Sequence, residues 1–128
     1  MSELKRILYV EDEDDIRMVA QMALEAVGGF EVLAYGSGRD AVAAAAAAGA
    51  DLILLDVMMP GMDGPSTLAA LRTVPATAAT PVIFMTAKVQ ASEVAHYRSL
   101  GALDVIAKPF DPMSISAEIA RIWEAAPR

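Results

Sequence analysis

The chain has 128 residues, 55 % of them hydrophobic, which suits a single domain burying about two-thirds of its unfolded surface and excludes disorder as the default. Formal net charge is −7, so phosphate backbones and anionic membranes are repelled, direct nucleic-acid binding is not expected, and acidic clusters can instead attract divalent cations. No cysteine is present, which removes disulfides, thiolate metal sites and cysteine nucleophiles. The opening MSELKRILYV is too charged for a secretory signal. The alanine-dominated run from Ala41 to Ala50 is too short for a membrane span, so the expectation is a soluble cytoplasmic protein.

Two periods alternate along the chain. Leu4 to Val10 carries Ile7, Leu8, Tyr9 and Val10, an apolar run of the buried-strand kind. Ile16, Val19, Ala20, Ala23, Leu24 and Val27 then recur at helical spacing, and Gly28-Gly29 ends that helix. Phe30 to Tyr35 reads as a second strand. Ser37 in "SGRD" is an N-cap with Asp40 three residues on, opening an alanine-rich helix that Gly49 stops. Asp51 to Asp56 is the third strand, and Pro65 suits the first turn of a third helix with Leu68 and Leu71 facing inward. "VPATAATP" reads as a loop before a fourth strand, Pro81 to Thr86. A helix from Ser92 to Leu100 closes at Gly101, and Leu103 to Ala107 is the fifth strand. Asp111-Pro112 caps a last helix with an inner stripe of Ile115, Ile119, Ile122 and Trp123.

Five strand–helix pairs predict a doubly wound α/β fold, a parallel sheet with helices on both faces. Ligands of such sheets bind beyond the carboxyl ends of the strands. Glu11 and Asp12 follow the first strand, Asp56 ends the third, Thr86 ends the fourth and Lys108 follows the fifth. Singly, each has an ordinary explanation as a helix cap, a good strand former or a solvated lysine. Together, three carboxylates at neighbouring strand tips repel one another unless a cation joins them, and oxygen ligands of this kind suit Mg²⁺. A carboxylate nucleophile, a divalent metal, an ammonium and a hydroxyl are the parts of in-line phosphoryl transfer.

"LYVEDED", "LLDVMMPGMDG", "IFMTAK" and "VIAKPF" occur in that order, and with them the chain resembles the response-regulator receiver domain along its whole length. The resemblance implies one receiver domain over residues 1–128, with a flavodoxin-like, chemotaxis-regulator-like sheet of order 2-1-3-4-5 between five helices. It implies that Asp56 takes a phosphoryl group from a phosphohistidine on a sensor histidine kinase or a histidine-containing phosphotransfer protein. Asp12 would ligate Mg²⁺ (or Mn²⁺) directly, Asp56 and the backbone carbonyl of Met58 would join it, and Glu11 would orient the ion. Thr86 would hydrogen-bond a phosphoryl oxygen, Lys108 would pair with it, Pro109 would follow a cis peptide and Gly64 would let its loop turn tightly. Such a protein catalyses its own phosphorylation and dephosphorylation but is a signalling switch or relay rather than an enzyme, acting through a downstream protein target.

One position departs from the family's pattern. Three residues before Lys108, where the family usually carries a rotating Tyr or Phe, stands Val105, with no ring to swing. Output then runs through backbone movement after Thr86, or the protein relays phosphoryl groups with little change of shape; Tyr97 is read as a packing residue able to substitute in part. Met58 and Lys88, two residues past site positions, bear on hydrolysis, and an apolar Met58 cannot activate water. His96 reads as a solvated helix residue, Met58, Met59 and Met62 as core and loop fillers, and Trp123 as a packing anchor. A haloacid-dehalogenase-type phosphatase is the alternative, but it wants a second Asp at the position of Met58. A nucleotide-binding flavodoxin-like module wants a Gly/Ser-rich phosphate loop, and "EDEDD" is its electrostatic opposite; a receiver relic would not keep the full set of site residues. A free-standing monomer is expected, with dimerisation through the fourth and fifth helices as the other option.

Overall fold

In the computed structural model, which describes residues 3–126, Leu52–Asp56 forms the central strand, β3, and every residue of it is buried. Such a run has no solvent face because helices cover both sides of a parallel sheet. The other strands are β1 (Arg6–Val10), β2 (Glu31–Tyr35), β4 (Val82–Thr86) and β5 (Asp104–Ala107), and the sheet order is β2-β1-β3-β4-β5 with every pair parallel. Five helices connect and flank them: α1 (Asp14–Ala26), α2 (Gly38–Ala48), α3 (Gly64–Leu71), α4 (Ala91–Ser99) and α5 (Ile115–Ala125). This is the expected doubly wound fold. The expected span 1–128 includes residues 1–2 and 127–128, which lie outside the described residues.

Strand alternation divides the apolar residues into two cores. Ile7, Tyr9, Leu52, Leu54, Ile83 and Met85 pack on one face with Ala20, Ala23 and Leu24 of α1 and with the α5 stripe of Ile115, Ile119, Ile122 and Trp123. Leu8, Val10, Ile53, Leu55 and Phe84 face the other way, toward Ala41 and Ala45 of α2 and Leu68 and Leu71 of α3. The Ser37 hydroxyl accepts the Asp40 N–H at 3.1 Å, and Gly49 at φ 61° closes α2 in the left-handed conformation.

Four local expectations change. The inner stripe of α1 is narrower than its periodicity suggests: Val19 and Val27 are 45 % and 49 % exposed, and within the helix Ala20, Ala23 and Leu24 alone are buried. "VPATAATP" is not plain loop but contains a 3-10 turn, Pro75–Thr77, fastened by the Thr77 hydroxyl on the Leu71 carbonyl and by Arg72 Nη1 on the carbonyls of Thr77 and Thr80 at 2.9 and 2.6 Å. Asp111 caps a turn before α5 rather than the helix itself, its carboxylate accepting the Met113 N–H at 2.9 Å and its carbonyl the Ile115 N–H at 3.0 Å. Gly64 serves close approach rather than a special turn conformation. A Cβ there would lie 2.6 Å from the Asp56 carbonyl oxygen and 2.8 Å from Val57 Cα.

Leu54→Ala should cost about 3 kcal/mol by opening a cavity between β3 and the α1/α5 layer, and Ser37→Ala about 1 kcal/mol by uncapping α2. Urea unfolding with an unchanged m-value checks both.

Candidate functional site

The sheet register delivers the site residues to one edge. Val10 pairs with Leu55 and Asp56 with Met85, so Glu11, one step past β1, stands beside Asp56, and Thr86 stands one step past the partner of Asp56. The Glu11 N–H extends the ladder to the Tyr35 carbonyl at 3.0 Å, and the Lys108 N–H extends it to the Thr86 carbonyl at 2.9 Å. The Lys108–Pro109 peptide is cis. From the tip of β5 the Lys108 side chain crosses β4 and donates from Nζ to Glu11 Oε1 at 2.8 Å and to Asp56 Oδ1 at 3.2 Å. Glu11 and Asp56 are both buried, and Asp12 is half-buried beside them.

The charges do not balance. Glu11, Asp12 and Asp56 each offer a carboxylate oxygen, all within 4.8 Å of one another, and Lys108 supplies one ammonium. Burial, followed by the charge of Glu11, pushes the Asp56 carboxyl up to about 7 although Lys108 pulls the other way. Burial alone would lower Lys108, but its hydrogen bond to Glu11 and the charges of Asp56 and Glu11 outweigh this and raise it, so it stays an ammonium. The Tyr9 phenol, buried beneath, is raised too, first by desolvation and then by Glu11 and Asp56. A pocket of hard oxygen donors with surplus negative charge fits a small divalent cation such as Mg²⁺.

Of the residues singled out in the sequence, Glu11, Asp12, Asp56 and Lys108 converge directly. Thr86 is buried at the adjoining strand end, and its hydroxyl accepts the Lys88 N–H at 3.2 Å. Met58 lies in the loop beyond β3 and is 73 % exposed, a solvent-facing neighbour of the site. Val105 is half-buried on β5 opposite Phe84, whose ring lies 5.2 Å from that of Tyr97 on α4 at an interplanar angle of 51°. His96 is exposed against the same tyrosine, with ring centroids 5.4 Å apart. Arg17 joins the site from α1: its Nη1 donates to the Glu11 carbonyl at 2.8 Å and its Nη2 to Asp14 Oδ1 at 2.7 Å. The only signal for it in the sequence is a single cation just after five consecutive acids.

The family model described as the response regulator receiver domain matches residues 7–120. Among curated proteins, the chain is 38 % identical over 122 residues to the transcriptional regulatory protein CseB of Streptomyces avermitilis, covering 95 % of this chain and 50 % of that protein. It is also 38 % identical over 111 residues to the regulatory protein AtoC of Escherichia coli, covering 87 % of this chain and 23 % of that protein. The chain thus spans about half the length, or less, of such relatives. Among solved structures, the chemotaxis response regulator CheY4 of Vibrio cholerae superposes with a TM-score of 0.84 at 29 % identity, covering 94 % of this chain and 99 % of that one. With its acidic edge, its strand order and the match over residues 7–120 in agreement, this chain belongs to the response regulator receiver domain family.

Proposed function

We propose that Asp56 is the phosphoacceptor of a two-component signalling switch, taking its phosphoryl group from a phosphohistidine. One observation carries this reading: a buried carboxylate at a strand end, 3.2 Å from Lys108 Nζ, sharing that ammonium with a second buried carboxylate. An Asp56 carboxylate oxygen attacks phosphorus, the P–N bond breaks, its electron pair stays on the imidazole, and an acyl phosphate forms. Lys108 balances the negative charge of the phosphoryl oxygens, and the Thr86 hydroxyl hydrogen-bonds one of them. Bound Mg²⁺, or Mn²⁺, would be held by Asp12, Asp56 and the Met58 carbonyl, with Glu11 orienting it, and would supply positive charge against those same oxygens. Asp56 becomes fully ionised, and so nucleophilic, when more positive charge than Lys108 alone faces it.

The donor is a sensor histidine kinase or a phosphotransfer protein. Its docking face is α1 with the loop after β5, a reading supported by exposed Met18, Val19 and Met22 and by an apolar hollow of about 480 Å³ lined by Ile16, Val19, Pro109 and Phe110. Residues 1–128 act as one cytoplasmic, monomeric receiver domain whose phosphorylated form engages a protein target. No helix among the described residues is long and apolar enough to cross a membrane. The relative MtrA of Mycobacterium leprae is described as a DNA-binding response regulator, and this chain matches 49 % of it; the net charge of −7 argues against nucleic-acid contact by this segment itself. The haloacid-dehalogenase alternative finds no support, since Met58 has no carboxyl to act as general acid and the family match is to receivers.

Radiolabel transfer from a panel of phosphorylated kinases should fall about a hundredfold or more in Asp56→Asn; undiminished transfer would mean that another group accepts the phosphoryl. The acyl phosphate of the isolated protein should outlast minutes, because Met58 has no group to orient water, and decay within seconds would contradict that. A pH series tests the electrostatics. Asp56 binds its proton more tightly folded than unfolded, so between about pH 4 and pH 7 the folded state holds more protons and stability falls as pH rises. In metal-free buffer Asp56→Asn should therefore match the wild type near pH 4 and melt higher at pH 8. An equal gap at both pH values would refute the burial penalty.

A further inference from the structure

We infer that Arg17 is a positioning residue that presets the acidic loop for its divalent cation, working from behind the carboxylates rather than among them; this rests on the reading of the site just proposed. Glu11, Asp12, Glu13, Asp14 and Asp15 are five consecutive acids, and Arg17 is the first cation after them. Its side chain is only 24 % exposed although it sits on a surface helix. Nη1 donates to the Glu11 carbonyl at 2.8 Å, and Nη2 donates to Asp14 Oδ1 at 2.7 Å. The Asp14 carboxylate is 82 % exposed, so that arm alone is an ordinary surface pair of little worth. The arm on the covered Glu11 carbonyl is the anchor.

The consequence falls on Asp12. The Glu11 N–H is held by the Tyr35 carbonyl and the Glu11 carbonyl by Arg17, so both peptide groups flanking Glu11 are fixed. The Glu11 side chain is held as well, by Lys108 on Oε1 and by the Glu13 N–H on Oε2 at 3.3 Å. Asp12 lies between these anchored points and inherits its direction from them. Arg17 bonds a carbonyl and Asp14, neither of which belongs to the carboxylate cluster of Glu11, Asp12 and Asp56. It therefore relieves repulsion along the acidic run without consuming an oxygen that a metal would need. Lysine could not replace it, because a single ammonium cannot span both acceptors with the rigid fork of a guanidinium.

A second element of the fold makes room for this clamp. Gly36 follows Tyr35, the last residue of β2, and a Cβ at Gly36 would lie 3.0 Å from Arg17 Nη1. The glycine leaves room for the guanidinium beside the end of β2.

The test is Mg²⁺ affinity, followed by NMR shifts of the Asp12 and Asp56 amides in the whole chain, with the Mg²⁺ dependence of phosphorylation measured in parallel. Arg17→Lys keeps the charge and loses the fork, and Arg17→Met loses both. Gly36→Ala leaves every site residue in place but crowds the guanidinium. We expect Arg17→Lys and Arg17→Met each to weaken Mg²⁺ binding about tenfold, as loss of an outer-shell partner does. Gly36→Ala should weaken it less, in the same direction, and phosphorylation rates should return to near wild type at saturating Mg²⁺. An unchanged affinity in Arg17→Lys, or tighter binding in Arg17→Met, would overturn the inference in favour of a simple charge effect. A loss of rate that saturating Mg²⁺ does not restore would overturn it in favour of general damage. If the wild type itself bound no Mg²⁺, the functional reading would fail instead, which keeps the two failures apart.

Discussion

The rest of the molecule is arranged around the desolvation of one carboxylate. Asp56 ends a strand whose other four residues are apolar and buried, and the chain then turns back so closely that Gly64 meets its carbonyl. Lys108 reaches it, yet burial and Glu11 win and the carboxyl is pushed up to about 7. Removing a carboxylate from water costs several kcal/mol even after relaxation, and a single ammonium shared between two acids does not recover it. The resting protein thus keeps an electrostatic deficit at the edge of its core. Whatever brings positive charge to that edge relieves the deficit, which gives cation binding there a driving force.

Parallel topology makes such a deficit possible. Lys108 stands 97 residues from Glu11 and 52 from Asp56 along the chain, yet donates to both. Every crossover returns the chain to run in the same direction, so all five strands finish at one edge and their next residues become neighbours. The two apolar layers hold the strand tips in register, and the ladder is prolonged beyond the strands by the amides of Glu11 and Lys108. Packing energy gathered far from the site is what keeps three acidic side chains within reach of one another.

Much of this was legible in the sequence, for physical reasons. Strands buried on both faces read as unbroken apolar runs, and a charge at the end of such a run, as at Asp56, stands out because burial there is costly. Caps such as Ser37 and stops such as Gly49 bracket even an alanine tract whose low complexity is that of a linker. What stayed hidden depends on contacts between segments. Arg17 looks like any helix arginine until Gly36 and the Glu11 carbonyl are brought beneath it. Gly64 reads as a turn residue, whereas close approach to β3 is what forbids a side chain there. The periodic stripe of α1 overstates its buried face because Val19 borders an open hollow beside the loop after β5.

The output side follows a different logic from the chemical edge. A valine at position 105 has no ring to exchange between inward and outward positions, and the aromatic contact is made from the helix instead, by Tyr97 on Phe84. Phe84 is itself fully buried, pairs with Val105 across the sheet, lies 3.2 Å from a Cβ placed at Gly64, and sits two residues before Thr86. Movement at the end of β3 or β4 therefore meets the ring that supports α4. None of the residues of α4 is fully buried, and its N-cap, Gln90, makes no side-chain capping bond. Its hold on the sheet comes from partly covered residues: the Tyr97 ring on Phe84, the Arg98–Asp104 ion pair at 3.0 Å and the Ala102 N–H on the Tyr97 carbonyl at 3.3 Å. Tyr97 and Arg98 thus tie α4 to Phe84 on β4 and to Asp104 on β5, the two strands that lead to Thr86 and Lys108.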